Sequence, residues 1–505
     1  MTKASFLGTS PLSDAFSVAF LIPNLLRRLF AENSISVAFI PTFRQYLERE
    51  ESAETRAFLS ATLTLVSFST TLCVLAGIAA APLIVPLFGT VSDETILLTR
   101  LMFPYLAIIS VAAFFQGILN GVRVFSPSGF TPILFNVAVI GTTYLLGNRL
   151  GNPARAMAAG VLLGGAIQAV FQLPFVLKQG FRFPPASLRT AFTNPGTRTV
   201  LRLIGPTIFG MAAYQLNDLV STALAGNAGA GVVSSLQFSL RLQELMLGIF
   251  AVSIGTVILP DLAARAAKAE WEPFNQLMMT AMRSIALITI PVTFFSLVCG
   301  EAIITLLFKS NSFNDESVRL TLAAFTWHIT GLFFIALNRV VSPAFYARQD
   351  TASPTMAGIW SFAVNIGLAL LLVRPMAGGG IALALSLASV ANSVLLFVFM
   401  RKKEGFHPAQ LAAGLGGYAV KMTGFSLVSA APVYFLRPAL WKLFEGRGRI
   451  IGQGVPLVVS LVIFAGIGMT LLWITRDPVV RQLLARIVAG KAVSSPGKGN
   501  PSSGL

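Results

Sequence analysis

Apolar runs of about 20 residues recur along nearly the whole length of this chain, and each is long enough to cross the hydrocarbon core of a bilayer. The 505 residues are 55% hydrophobic and only 11% charged, a composition far from that of soluble globular proteins. The sequence therefore predicts an all-α polytopic membrane protein.

Thirteen membrane-crossing elements are predicted from these runs. The first lies within 14–48 and is bent at Pro23, because proline removes a helical hydrogen bond. The other twelve are 57–88, 95–121, 127–147, 154–178, 199–225, 231–260, 284–308, 320–344, 353–373, 380–400, 418–436 and 452–475.

The basic residues of the loops and tail predict how the chain is oriented. If the first element ends in the cytoplasm, Lys and Arg divide twenty to ten in favour of the cytoplasmic side. We therefore expect an N-terminus outside and a cytoplasmic C-terminus. The net charge of +17 is mostly this topology signal and an attraction to membrane lipids with anionic headgroups. Because the basic residues form no separate basic domain, nucleic acid is not an expected partner.

Several function classes lack their usual motifs. Cys73 and Cys299 lie in apolar runs and are better interpreted as buried thiols than as a disulfide. The sequence contains no Walker loop, no nucleophile-base arrangement and no metal-ligand cluster. We therefore expect a carrier without a cofactor or metal, and not an enzyme or an ATP-driven pump. The end of the tail, rich in Ser, Gly, Pro and Lys, is expected to be disordered.

Two pairs of similar segments indicate an internal duplication. Pro41 and Pro260 lie in similar segments 219 residues apart, and Pro132 and Pro354 in segments 222 residues apart. Coincidence is the alternative, since proline is common near helix ends. A duplication predicts two pseudo-repeated six-helix lobes around a central cavity, followed by two further helices. The predicted boundaries are 1–180 for the N-terminal lobe, 199–403 for the C-terminal lobe, 404–476 for the added helices and 477–505 for a cytoplasmic tail.

The first element carries charges that are costly inside a membrane. Asp14, Arg27, Arg28 and Glu32 lie within an otherwise apolar segment, and such residues usually face an internal cavity. Alternatively, Arg28 and Glu32 only neutralise each other as an i,i+4 pair at a helix end. The kink expected at Pro23 shifts the helical phase, so the pattern does not choose between Arg27 and Arg28.

A second polar stripe lies in the element predicted at 231–260. Gln237, Arg241, Glu244 and Gly248 recur on one helical face, which indicates a water-filled space or another helix. Alternatively, Arg241 and Glu244 form a buried pair that only locks the bundle. Arginines in a low-dielectric cavity suit a diphosphate, because the guanidinium binds paired oxygens and stays protonated.

Three segments carry a specific resemblance to a known family. The chain resembles the MurJ (MviN) lipid II flippases from Leu7 to about Lys403, and more weakly beyond. The similar segments are Asp14-Ala15-Phe16 with Pro23-Asn24-Leu25-Leu26-Arg27-Arg28-Leu29-Phe30-Ala31-Glu32 and Ala38-Phe39-Ile40-Pro41, then Gly255-Thr256 with Leu259-Pro260, and Ser342-Pro343-Ala344-Phe345-Tyr346-Ala347-Arg348-Gln349-Asp350 with Pro354.

The resemblance implies a fourteen-helix exporter fold in the bacterial cytoplasmic membrane. It implies transfer of lipid II, the undecaprenyl-diphosphate-linked peptidoglycan precursor, from the inner to the outer leaflet by alternating access. An arginine-lined central cavity would bind the diphosphate, and the last two helices would form a groove for the lipid tail. By the resemblance, Asp14 and Arg27 match sensitive positions of the first lobe, and Arg241 and Glu244 match those of the second. Partners in cell-wall synthesis or division are also implied.

The sequence departs from the family pattern at several places. Residues 6–8 resemble the turn after the family's first helix, so that helix is expected to be missing and thirteen helices to remain. An acidic residue often found before the second-lobe arginine is Leu240 here. Some relatives have a sodium site with a carboxylate four residues after an asparagine; here Asn365 is followed by Ala369, which argues against sodium coupling.

Two other functions stay open from the sequence. The chain could carry drugs or a different polyprenyl-linked glycan, or it could be a non-transporting truncated homologue. Lipid II transport is the leading hypothesis, with Asp14, Arg27, Arg28, Glu32, Gln237, Arg241 and Glu244 as the predicted substrate-binding residues.

Overall fold

The described part of the chain is built from helices. A computed structural model describes residues 1–28, 38–49, 52–89 and 92–481, and all secondary-structure elements in these ranges are helical. In chain order they are α1 Thr2–Leu7, α2 Pro11–Arg27, α3 Ile40–Glu48, α4 Ser52–Ile84, α5 Asp93–Met102, α6 Tyr105–Gly121, α7 Ser126–Leu146, α8 Pro153–Lys178, α9 Leu188–Thr193, α10 Pro195–Ala228, α11 Val232–Ala267, α12 Trp271–Phe308, α13 Asp315–Thr330, α14 Leu332–Tyr346, α15 Ala352–Met376, α16 Gly378–Met400, α17 Pro408–Leu443 and α18 Gly448–Ile474, with a short 3₁₀ turn at Val85–Phe88.

The described parts of all thirteen predicted segments coincide with helices. Among the described residues, nine helical segments are long and apolar enough to cross a membrane, and α13 with α14 makes a tenth if this pair, bent by 43°, is one span. The other predicted segments correspond to α2 with α3, to α10 and to α11. An all-α polytopic membrane protein is therefore confirmed, while the exact number of thirteen spans stays a prediction.

Helix α2 begins and continues as its sequence dictates. The Ser10 hydroxyl accepts a hydrogen bond from the backbone N–H of Ser13, and Pro11 occupies the first helical turn, where its missing N–H costs nothing. The helix continues through Pro23 and ends at Arg27. The predicted site residue Asp14 thus lies in the first turn and Arg27 in the last.

Small residues allow helices α7 and α8 to approach closely. A Cβ atom on Gly160 would lie 2.9 Å from the Cα of Val139, and one on Gly164 would lie 2.8 Å from the Phe135 ring. Glycines four residues apart on one face are a typical device for packing helices inside membranes, where close contact replaces the hydrophobic driving force.

The chain divides into two compact units. Unit 1 comprises Met1–Ser239, Phe308–Ala324 and Asn365–Ala384, and unit 2 comprises Leu240–Leu307, Phe325–Val364 and the chain from Leu385 on. These boundaries differ from those of the predicted lobes, because α10, the start of α11 and parts of α13, α15 and α16 group with the N-terminal residues. The lobes 1–180 and 199–403 and the added pair 404–476 stay predictions.

In unit 2, the segment after α18 is fastened to α17. The Asp477 carboxylate accepts hydrogen bonds from Lys421 (2.7 Å), from the Tyr418 hydroxyl (3.1 Å) and from the backbone N–H groups of Val479 and Val480. Burial opposes ionisation of Asp477, but these donors outweigh it and hold the pKa of its carboxyl below the usual range. The Asp477 carboxylate therefore holds the C-terminal end of α18 against α17.

Candidate functional site

The Asp14 carboxylate caps the N-terminus of α11. Asp14 is 1% exposed. Its Oδ2 accepts a hydrogen bond from the Gly231 N–H (2.6 Å), and its Oδ1 accepts from the backbone N–H (2.8 Å) and the hydroxyl (2.6 Å) of Ser234. The first N–H groups of a helix lack intrahelical partners and carry partial positive charge, so a carboxylate stabilises them. Asp14 therefore joins α2 to α11 across 217 residues of sequence.

The residue at position 231, whose N–H donates to Asp14, must be a glycine. Gly231 has φ +80°, in the left-handed region that side chains rarely adopt. A Cβ atom at this position would also lie 2.3 Å from the backbone oxygen of Thr9. The absence of a side chain at Gly231 thus lets the chain turn into α11 directly against the segment that precedes α2.

Lys3 is the functional candidate that the sequence analysis missed. It lies in α1, and its ammonium group donates to the Ser17 hydroxyl and to Oε1 of Gln237 (3.0 Å). The ammonium nitrogen also lies 5.3 Å from the centre of the Phe238 ring. Gln237, a predicted site residue, therefore contacts a cation that comes from the start of the chain.

The two arginines at the end of α2 have different partners. Arg27 donates through Nε to Oδ1 of Asn24 (3.0 Å), one turn earlier in the same helix. Arg28 forms an ion pair with Asp218 of α10 at 3.7 Å, and their side chains are 33% and 47% exposed. Glu32, the alternative partner expected for Arg28, lies outside the described residues.

Arg241 and Glu244 form an ion pair on the surface of α11 in unit 2. Nη1 of Arg241 lies 2.8 Å from Oε2 of Glu244, and the side chains are 73% and 56% exposed. The neighbouring Gln243 is buried and donates to the backbone carbonyl of His328, which anchors another face of the helix. Because exposed ion pairs add little to stability, this pair is poorly suited to locking a bundle.

Asn365 lies buried inside unit 1. The Asn365 side chain, 2% exposed, donates from its amide to Oδ1 of Asn217 at 2.6 Å. Ala369, four residues later, is buried as well. In the ranges that the structure describes, no three His, Cys, Asp or Glu side chains form a group that could hold a metal ion. Asn365 is thus bonded to Asn217, and the position four residues later is a buried alanine.

The third segment of the family resemblance forms a loop cluster in unit 2. The Arg348 guanidinium lies 4.7 Å from the Trp271 ring centre and 4.8 Å from that of Phe406. Asp350 pairs with Lys403 at 2.8 Å. These contacts join the loop after α14 to the start of α12 and to the loop before α17. The segment around Arg348 therefore has a structural role that its sequence pattern did not reveal.

We expect the Asp350 contacts to make stability depend on acidic pH. Partial burial opposes ionisation, but the hydrogen bonds from Lys403 and Ser353 and the Lys403 charge outweigh it and lower the pKa of Asp350 to about 2. A carboxyl with a depressed folded pKa stabilises the fold above its unfolded pKa of about 3.9, and this contribution is lost as pH falls towards 2.

The measurement is the thermal unfolding midpoint of the protein in detergent at several pH values. Asp350→Asn should lower the midpoint at neutral pH and flatten its decrease below pH about 4. The exposed Asp261→Asn is the matched control and should follow the wild-type curve. Identical curves for wild type and Asp350→Asn would contradict the prediction.

The described site residues supply cations with nearby oxygen partners. Lys3 and Gln237 meet in unit 1, where Arg28 also faces Asp218. In unit 2, Arg241 is held by Glu244. Accessible arginines paired with carboxylates suit an exchangeable anion, because a phosphate can take the place of the carboxylate on the guanidinium fork.

Comparison with known protein sequences gives matches over most of the chain. The family model described as lipid II flippase MurJ matches residues 3–445. The probable lipid II flippase MurJ of Treponema pallidum is 47% identical over 493 residues, which cover 96% of this chain and 94% of that protein. The lipid II flippase MurJ of Burkholderia cenocepacia is 30% identical over 481 residues, covering 93% and 92%.

Solved structures with the same fold come from two kinds of transporter. A lipid II flippase MurJ in an inward closed conformation matches with a TM-score of 0.77 and 22% identity, covering 94% of this chain and 95% of that chain. An inward-facing multidrug resistance transporter of the MATE family matches with a TM-score of 0.66 and 14% identity, covering 82% and 94%. At these identities the structural matches show a shared fold.

Proposed function

This chain belongs to the lipid II flippase MurJ family, and from that membership we propose that it carries lipid II from the inner to the outer leaflet of the cytoplasmic membrane. The observation that carries the proposal is 47% identity to the Treponema protein over nearly the full length of both chains. The family transports its substrate and is not a family of enzymes. The many apolar helices of this chain make it a multi-pass membrane protein.

In the proposed mechanism, cationic side chains bind the diphosphate of lipid II. The proposed binding residues described by the structure are Arg27, Arg28, Gln237, Arg241 and Glu244, and Glu32 is kept with them on sequence grounds. Glu244 neutralises Arg241 while no substrate is bound. The diphosphate then replaces this carboxylate, and the exchange repeats in reverse when lipid II leaves.

Asp14 has a different proposed role, because its oxygens are occupied. With three hydrogen bonds to the start of α11 and almost no exposure, its carboxylate positions the helix that carries Gln237, Arg241 and Glu244. Lys3 is added to the proposed site, since it contacts Gln237 directly. Alternating access would then depend on the cap at the N-terminus of α11.

The remaining parts of the proposal concern topology and surroundings. The N-terminus would lie outside and the C-terminus in the cytoplasm, as the basic loops favour. The helices α17 and α18 would form a groove for the undecaprenyl tail. Contacts with the cell-wall synthesis or division machinery would place the carrier where lipid II is made and used.

The test is transport in bacterial cells depleted of their own lipid II flippase. Cells that express this chain should resume growth, and radiolabelled lipid II should become accessible to a hydrolase added outside spheroplasts. Growth without accessible lipid II would contradict the proposal. Accessibility of a different polyprenyl-linked glycan in place of lipid II would assign the chain to another substrate.

A further inference from the structure

Unit 2 contains a cavity of about 520 Å³ between the end of α11, the first turns of α12 and the start of α17. None of the proposed lipid II-binding residues lines it. The charged and polar side chains around it include Arg265, Glu272, Gln276, Arg283 and Gln410. His407, the residue that precedes α17, also lines the cavity.

Arg283 lines this cavity, and one of its guanidinium nitrogens lacks a hydrogen-bond acceptor among the described residues. Its Nε is buried and has no hydrogen-bond partner within the described part of the chain. The guanidinium lies 5.8 Å from the Tyr418 ring centre, which holds it against α17. A Cβ atom on Gly414 would lie 3.2 Å from Nη2, so the glycine leaves room for the arginine. Burying an arginine N–H without an acceptor is costly unless a ligand supplies one.

The two acids near the cavity equal its two arginines in number, but among the described residues neither acid forms an ion pair with Arg283. Arg265 lies 3.9 Å from Glu270, an ion pair with both side chains 40% or more exposed. Glu272 is exposed and accepts a hydrogen bond from Gln276 at 3.0 Å. Among the described residues, no carboxylate forms an ion pair with Arg283. The cavity is therefore suited to an anion with several oxygens.

We propose that this cavity binds the phosphate headgroup of an acidic phospholipid. It lies at the start of two helices that qualify as membrane spans, α12 and α17. The ends of a span are the parts that lie closest to the lipid headgroups. The guanidinium forks of Arg265 and Arg283 would bind the phosphodiester oxygens. Basic pockets between membrane helices are known to hold anionic headgroups. This inference is independent of the lipid II-binding residues.

The test measures lipid binding to the purified full-length protein in detergent. Titration with phosphatidylglycerol, followed by native mass spectrometry, gives a dissociation constant, and phosphatidylcholine with the same acyl chains is the uncharged reference. We expect phosphatidylglycerol to bind about tenfold more tightly, and Arg265→Gln or Arg283→Gln to remove about that factor, as for the loss of one charge-assisted hydrogen bond.

Arg182→Gln is the matched control, because Arg182 is exposed in the loop between α8 and α9 and loses the same charge. It should bind phosphatidylglycerol as wild type does. If Arg283→Gln does not fold, the half-exposed Arg265→Gln carries the test. Equal lipid binding by Arg265→Gln and Arg182→Gln would overturn the proposal. Displacement of the lipid by millimolar inorganic phosphate would also overturn it, because the site would then hold a free anion.

Discussion

Asp14→Ala should abolish growth rescue and reduce the free energy of unfolding by roughly 2–3 kcal/mol, the scale of a lost helix cap with charged hydrogen bonds. The substitution leaves the N–H groups of Gly231 and Ser234 and the Ser234 hydroxyl without their acceptor in a buried place. Helix α11 would then lose its fixed start, and Gln237 its position. Growth rescue and denaturant unfolding of the purified protein are the two measurements.

The neighbouring Ser13→Ala is the control for this effect. Ser13 is as buried as Asp14, but its hydroxyl has no hydrogen-bond partner among the described residues. Its removal should therefore leave rescue and stability near the wild-type values. Asp14→Asn should be intermediate, because an amide keeps one acceptor oxygen but presents an N–H₂ group to the other donors. Wild-type stability of Asp14→Ala would show that the cap does not hold α11.

The fold class and family could be predicted from the sequence because their signals are local. The length and hydropathy of each apolar run show by themselves that it can cross a membrane. The described parts of all thirteen predicted segments coincide with helices. The ends were less accurate: the predicted segment 199–225 lies inside the longer Pro195–Ala228, and 284–308 inside Trp271–Phe308. Hydropathy fades where a helix leaves the membrane, although its backbone hydrogen bonds continue.

The contacts of the site could not be predicted, since they join residues that are distant in sequence. Lys3 meets Gln237 across 234 residues, and no periodicity of either helix indicates such a pair. The carboxylate of Asp14 indicated a polar environment correctly, but the sequence pattern could not distinguish a cavity from a helix N-terminus. In the same way, Arg28 could be paired with Glu32 by spacing alone, whereas Asp218 becomes a partner only in three dimensions.

Arg241→Ala should abolish rescue while leaving the unfolding midpoint unchanged, in contrast to Asp14→Ala. Its ion pair with Glu244 is exposed and adds little stability. In the proposed mechanism, however, the guanidinium binds the diphosphate directly. Loss of one such charge-assisted interaction should slow lipid II transport about 10- to 100-fold. Rescue at matched expression and hydrolase accessibility of lipid II measure the effect, and Arg27→Ala should behave in the same way.

The structure offers a close control in Arg319, which pairs with Glu316 at 2.6 Å with the same i,i+3 spacing and 73% exposure of the arginine. Arg319→Ala removes an equivalent surface ion pair from α13 and should rescue growth fully. A difference in growth rescue between Arg241→Ala and Arg319→Ala would then show that Arg241 has a role in transport, because the two ion pairs match in spacing, arginine exposure and charge. Full rescue by both Arg241→Ala and Arg27→Ala would remove these residues from the diphosphate site, while leaving membership of the family untouched.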